Sequence, residues 1–315
     1  MARQEKVEKK RAALKRGRMA AKVKRSGMLR DQLISELTKA RYLKAVKALL
    51  SFWCVVGCSP TCVDDFDECC AMFVEAMWSE GDSINLPSQA LAGLQWLWPS
   101  VKGHLPYAWK LTKAWAKAEP PNRATPFTPL MALGLAGLCV ASNMVPVAAL
   151  ILVGFDGFLR SGELFAMKVG DISFRKGMAV IKLALTKSGK RRGLMEVIVI
   201  TSKIAVELLA RACQGRGAEE FVAPCSAFSL RKILRTLLAE LQLDELLYSW
   251  YSLRRGGATA YFLQTGSMEK TLLRGRWTSS TVARLYIQDA VALANELLLP
   301  HGTVNILKGF ANCIL

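Results

Sequence analysis

The 315 residues carry 43 Lys and Arg against 25 Asp and Glu, a net charge of +18. That length fits two domains better than one, and the charge makes a polyanion the default partner. The charged, non-apolar start and the odd count of nine cysteines argue against a secreted, disulfide-framed protein and for reduced thiols inside a cell.

In chain order, residues 1–30 hold most of the excess charge, +10 of the +18. This Ala-rich run has no apolar face and reads as a disordered tail that gains from counterion release near DNA. Its clusters Lys15-Arg16-Gly17-Arg18 and Lys22-Val23-Lys24-Arg25 resemble a nuclear-import signal. Residues 31–118 read as a helical bundle. Leu33, Leu37, Tyr42, Val46, Leu49 and Leu50 are spaced for one helix. Phe66–Trp78 makes a second with Asp64 or Asp65 as N-cap, and Pro87–Trp98 and Leu105–Ala118 make two more. Trp96, Trp98, Trp109 and Trp115 are expected as aromatic anchors of its core, and Lys102, Lys110, Lys113 and Lys117 as a basic face.

Cys54, Cys58 and Cys62 share a helical spacing that Pro60 interrupts. His104 and His301 are the only histidines, so the cysteines read as small buried apolar groups rather than a zinc site. Glu119-Pro120-Pro121-Asn122-Arg123 opens a stiff linker, taken as 119–127.

Residues 124–155 contain no charge. They are long enough for a membrane span, but Gly134, Gly137, Ser142, Asn143 and Pro146 break them into two buried helices, about 128–141 and 146–158. Arg160 ends that apolar run, where a cation must be paired or await a ligand, and Glu163 lies one turn on to orient it. Met178–Leu185 and Leu194–Ile200 read as two strands of a hairpin. Its tip carries Lys187, Lys190, Arg191 and Arg192 as a basic finger. Helices are expected at about 202–213, 226–241, 251–264, 267–274 and 279–298, with 301–315 a tail.

One stretch, Tyr251 to Tyr286, organises the rest. Arg254 stands in an apolar helical pattern, Trp277 follows, and Tyr286 sits among Val282, Leu285 and Ile287, a set able to bury one helix face. A phosphodiester attacked without metal needs fixed cations on its non-bridging oxygens, and the planar, always-charged Arg fork suits that role. A Tyr nucleophile would conserve the bond energy as phosphotyrosine.

These residues resemble the tyrosine recombinases, or phage-type integrases. The resemblance rests on Leu159-Arg160-Ser161-Gly162-Glu163-Leu164, on Tyr251-Ser252-Leu253-Arg254, and on Gly275-Arg276-Trp277-Thr278 followed by Tyr286. It covers about 125–298. The helical first half is similar to the core-binding domain of such enzymes.

The resemblance implies a mainly α fold with a small antiparallel sheet: a helical core-binding domain at 31–118, then a catalytic domain at 128–300. It implies a site-specific recombinase that cleaves and rejoins double-stranded DNA through a 3′-phosphotyrosine. Arg160 and Arg254 would clamp the phosphate, Tyr286 attack it and Lys187 protonate the leaving 5′ oxygen. Trp277 would pack and donate its indole N–H, and Glu163 support Arg160. Lys190, Arg191, Arg192, Arg255 and Arg276 are expected to contact DNA.

No cofactor, metal or membrane is expected. A homotetramer on DNA is, with Asp289–Leu298 as a docking helix, in the nucleus of a eukaryote or otherwise the cytoplasm. Tyr251 stands where the family usually has His. A phenol with a reference pKa of about 10 is a poor base at neutral pH, which predicts a slow enzyme. The alternatives are a DNA-binding descendant without catalysis and a membrane-associated helical protein.

Overall fold

The computed structural model describes residues 33–121, 123–183, 196–244, 247–287, 291, 294 and 297–315. The chain divides after Pro121 into two compact units.

The first unit is helical: α1 (Glu36–Val56), α2 (Val63–Ser79), α3 (Asn85–Leu97), a short 3-10 turn and α4 (Pro106–Ala118). Ser35 caps α1, its hydroxyl accepting the Thr38 N–H, and Gly57 at φ 72° closes it. The buried face of α1 is Ala45, Val46, Leu49 and Trp53, whereas Leu33, Leu37 and Leu50 of the expected stripe are exposed. The N-cap of α2 is Cys62, whose Sγ accepts the Asp65 N–H. Asp64 and Asp65 instead occupy the first turn.

Asp67 is buried for a structural reason. Its carboxylate accepts the Tyr107 and Ala108 N–H groups at 2.8 and 3.0 Å. It thereby satisfies the orphan donors at the start of α4. Of the four expected tryptophan anchors only Trp115 is buried; Trp98 is 48% exposed. The cysteines also depart from expectation, since Cys54 and Cys62 are exposed and only Cys70 and Cys139 are buried.

The second unit contains α5 (Pro129–Ala141), α6 (Val145–Asp156), α7 (Ser161–Phe165), β1 (Ile172–Arg175), β2 (Met178–Leu183), β3 (Glu196–Ile200), α8 (Lys203–Cys213), α9 (Ala227–Glu240), α10 (Trp250–Thr265), α11 (Met268–Gly275), α12 (Ser280–Arg284) and α13 (His301–Asn312). The uncharged run becomes α5 and α6, of 13 and 12 residues, both apolar all round and buried in the core. Among the described residues no helix is long and apolar enough to cross a membrane.

The sheet is antiparallel in the order β1-β2-β3. Its period-two pattern buries Ala179, Ile181, Leu183, Ile198 and Ile200 while Val197 and Val199 face out. The strand β1 was not expected. Its signal is Lys176-Gly177, both at positive φ, the two-residue turn that closes a tight hairpin. The loop between β2 and β3, with Lys187, Lys190, Arg191 and Arg192, lies outside the described residues.

Two expectations at the C-terminal end are corrected. The expected continuous helix at 279–298 is interrupted after Arg284, where side chains of α10 take the Leu285 and Tyr286 carbonyls. Val291, Ala294 and Leu297 are helical again, and residues 288–290, 292–293 and 295–296 of the expected docking helix lie outside the described residues. The expected tail at 301–315 contains a helix, α13, with Leu307 fully buried in the main core. Gly134 and Gly137 on α5 make room for it. A Cβ on Gly137 would collide with the Phe310 carbonyl, and one on Gly134 would lie 2.6 Å from Leu307.

Gly137→Ala should therefore destabilise the second unit by about 1–3 kcal/mol through overpacking. The exposed Gly309→Ala should not, when both are measured by urea denaturation.

Candidate active site

α10 is the platform of the site. Ser249 caps it, accepting the Tyr251 N–H at 3.2 Å, and the Trp250 indole donates to the Leu230 carbonyl at 2.9 Å. Two adjacent glycines let the helix sink: a Cβ on Gly256 would strike the Phe127 backbone, and one on Gly257 the Phe155 carbonyl. The preceding pair, Arg254 and Arg255, is thereby carried into the interior at 0% and 2% exposure.

A buried guanidinium needs acceptors. Arg254 donates through Nη1 to the Phe158 carbonyl and through Nη2 to the Gly275 carbonyl at 2.9 Å. The first acceptor belongs to the bend after α6. There Phe158 sits at φ 48°, a conformation costly for a bulky residue unless its surroundings impose it. Arg274 pins the same bend from α11, donating to the Asp156 carbonyl at 2.9 Å and to Asp156 Oδ1 at 2.6 Å. Its guanidinium carbon lies 5.5 Å from the Phe158 ring centroid and 5.0 Å from that of Tyr261.

The bend delivers Arg160. Glu163 accepts both its backbone N–H (2.9 Å) and its Nη1 (2.7 Å), and also takes Arg276 Nη2 at 2.8 Å. Arg276 reaches toward Glu196 as well, at 3.6 Å. Burial alone would raise the Glu163 carboxyl. The Arg276 charge, the Arg160 N–H and the Arg160 guanidinium outweigh it and hold the group below the usual carboxylate range. Burial, with the like charges of Arg160 and Arg276 behind it, lowers the Arg254 guanidinium to about 10, so it stays charged at neutral pH.

Trp277 and Tyr286 close the site over Arg254, whose guanidinium carbon lies 4.8 Å from one ring and 5.1 Å from the other. Trp277 also packs on Phe158, and its indole N–H has no partner among the described residues. Tyr286 follows the end of α12. Arg255 Nη2 donates to the Leu285 carbonyl at 3.1 Å and Thr259 Oγ1 to the Tyr286 carbonyl at 3.2 Å. These bonds, rather than a buried apolar face, fix the tyrosine, for Val282 and Leu285 are exposed.

Tyr251 donates its hydroxyl proton to the Tyr286 oxygen at 2.6 Å. Burial and this bond push Tyr251 up to about 12. For Tyr286 burial acts upward, but the Tyr251 bond and the Arg254 and Arg160 cations prevail and bring it below the ordinary phenol value.

Of the residues singled out in the sequence, Arg160, Glu163, Tyr251, Arg254, Arg276, Trp277 and Tyr286 thus meet in one place. Lys187 and the finger cations Lys190, Arg191 and Arg192 lie outside the described residues. Arg255 and Arg276, expected as DNA contacts, are engaged within the protein: Arg255, buried, holds the Leu285 carbonyl, and Arg276, half-buried, the Glu163 carboxylate. Thr259, Asp156, Arg274 and Glu196 were not anticipated. The one signal available was Asp156, the charge that ends the uncharged run.

No family model matches this sequence, and no curated protein does. Solved structures do. A lambda integrase dimer bound to a COC′ core site is similar over 82% of this chain and 73% of its own, at 16% identity and a TM-score of 0.55. XerH site-specific recombinase bound to palindromic difH substrate matches over 83% and 78%, at 12% and 0.56. The Tn1549 transposon integrase in complex with transposon right-end DNA matches over 85% and 95%, at 12% and 0.56. At these identities the likeness is one of fold. This chain has the tyrosine recombinase fold, mainly α with a three-stranded antiparallel sheet.

Glu163→Gln removes the carboxylate that Arg160 and Arg276 share, leaving Arg276 only the more distant Glu196 among the described residues, and should cost roughly 3–5 kcal/mol of stability. Because the folded carboxyl titrates below its unfolded value of about 4.3, its contribution is full above that pH. It is lost as pH falls through the folded value. Urea midpoints between pH 3 and pH 7 should therefore fall on acidification in the parent chain, with that component missing in the Gln variant.

Proposed function

We propose that this protein is a site-specific DNA recombinase or integrase, a tyrosine-type strand transferase acting on double-stranded DNA. The observation that carries this reading is the Tyr286 hydroxyl, held beside the Arg254 guanidinium with Arg160 close enough to act on its charge. It is supported by the fold shared with recombinases whose solved structures contain DNA.

In this reading Arg160 and Arg254 hold the non-bridging oxygens of the scissile phosphate, and their grip tightens as charge grows in the transition state. Tyr286 attacks in line. Its oxygen bonds to phosphorus, the bond to the 5′ oxygen breaks, and Lys187 gives that oxygen a proton. The 3′-phosphotyrosine stores the bond energy for religation. Trp277 shapes the pocket over Arg254, and Glu163 sets the direction of Arg160. Two duplexes and four cleavages call for a homotetramer on DNA. Phosphate contacts dominate affinity, with Lys190, Arg191 and Arg192 adding to them.

A second reading, a DNA-binding descendant that no longer cleaves, is favoured by one observation. Arg254 is fully covered and both its Nη atoms are committed to carbonyls. A phosphate reaches it only when the Tyr286 and Trp277 rings give way.

A DNA duplex nicked near the scissile phosphate separates the two. The recombinase reading predicts a covalent protein–DNA adduct on a denaturing gel, abolished by Tyr286→Phe and reduced more than a hundredfold by Arg254→Ala. Salt-sensitive binding without any adduct would favour the second reading. Duplex affinity should fall steeply between about 50 and 200 mM salt if several phosphates are contacted, and a flat response would reject both.

A further inference from the structure

Tyr251 occupies the place where a proton acceptor for the nucleophile is expected, yet it points a donor at it. Its hydroxyl lies 2.6 Å from that of Tyr286, at the short end for an O–H···O bond. The two rings lie 5.7 Å apart, and the half-buried Tyr286 packs against Trp277 with ring centroids 4.6 Å apart and the planes tilted by 37°, which limits how far the Tyr286 phenol can swing. The groups that act on the pair are cations. Arg254 and Arg255 come from α10, and Arg160 from the bend before α7. Among the described residues the carboxylate that acts on these cations, Glu163, is already shared between Arg160 and Arg276.

We infer that Tyr251 is a catalytic hydrogen-bond donor that stabilises Tyr286 as a phenolate, so that the nucleophile is ionised before attack instead of being deprotonated during it. This rests on the strand-transfer reading above. The balance is simple. The Tyr286 proton leaves to solvent, and Tyr251 keeps its own proton and donates it into the phenolate oxygen. When that oxygen bonds to phosphorus, the electron pair of the broken bond leaves on the 5′ oxygen, which takes its proton from Lys187. No base is consumed and no further reactant is required.

An ionised phenol held by a donor and fixed cations is stabilised because charge-assisted hydrogen bonds are about twice as strong as neutral ones. Burial raises Tyr286, and the donor and cations reverse the direction. The arrangement replaces general-base help by a lowered nucleophile pKa. It therefore moves the pH dependence of cleavage onto the Tyr286 ionisation itself.

The test uses the full chain without DNA, labelled with ¹³Cζ-tyrosine and titrated by NMR, comparing the parent with Tyr251→Phe. Phe keeps the ring and loses only the hydroxyl, and the Tyr107 and Tyr248 signals report whether the fold is intact. The Tyr286 midpoint is expected below the ordinary phenol value of about 10, and to rise by about one pH unit or more in Tyr251→Phe.

Adduct formation on the nicked duplex should then be about tenfold slower in the variant at pH 7, with the deficit closing as pH rises. A Tyr286 midpoint unmoved by Tyr251→Phe, or a deficit equal at every pH, overturns the inference. A midpoint that moves in a parent chain that forms no adduct at any pH overturns instead the strand-transfer reading, with the phenol pair standing.

Discussion

The structure of the second unit turns on one burial, that of the Arg254 guanidinium. A charge taken wholly out of water is tolerated only where fixed dipoles replace its hydration, and here the replacements are two backbone carbonyls. Serving as acceptors commits the chain around them. Phe158 takes a left-handed conformation, Gly275 ends α11, and α10 must lie close enough to need Gly256 and Gly257. Segments separated by about a hundred residues are thereby locked together. Arg160, one residue past Leu159 in the same bend, inherits its place from that lock.

The consequence for chemistry is a cationic site built before any ligand arrives. Arg160 and Arg276 share the carboxylate of Glu163, with Glu196 further off, while Arg254 is held by two carbonyls and paired with no carboxylate among the described residues. This leaves the site short of negative charge and fitted to an anion. Together with the Tyr251 hydrogen bond, the same cations lower the Tyr286 phenol, so the proposed clamp and the proposed nucleophile depend on one arrangement of charge. That the Tyr286 carbonyl and its predecessor are held by Thr259 and Arg255 ties Tyr286 to the helix that carries Arg254.

Much of this was legible in the sequence, and the reason is chemical. Arg160 and Arg254 interrupt apolar runs, and an unexplained cation in such a run is informative. The buried helices α5 and α6 follow from an uncharged run broken at Ser142–Pro146, and β2 and β3 from their apolar alternation. What escaped the sequence was decided by backbone geometry. Arg255 and Arg276 read as surface cations because nothing in their spacing shows that a carbonyl and a carboxylate lie within reach. The α13 helix escaped because its apolar face, centred on Leu307, has meaning only against the two glycines of α5. The break after α12 escaped because the side chains that hold the Leu285 and Tyr286 carbonyls lie some thirty residues earlier.

The central claim is that Tyr286, and not its hydrogen-bonded neighbour, forms the bond to phosphorus in a site governed by Arg254. Proteolysis of the trapped protein–DNA complex, followed by mass spectrometry of the linked peptide, tests it most directly. The account predicts a nucleotide joined through a 3′-phosphate to the peptide containing Tyr286. The same modification on the peptide containing Tyr251, or a linkage through a 5′-phosphate, would contradict it.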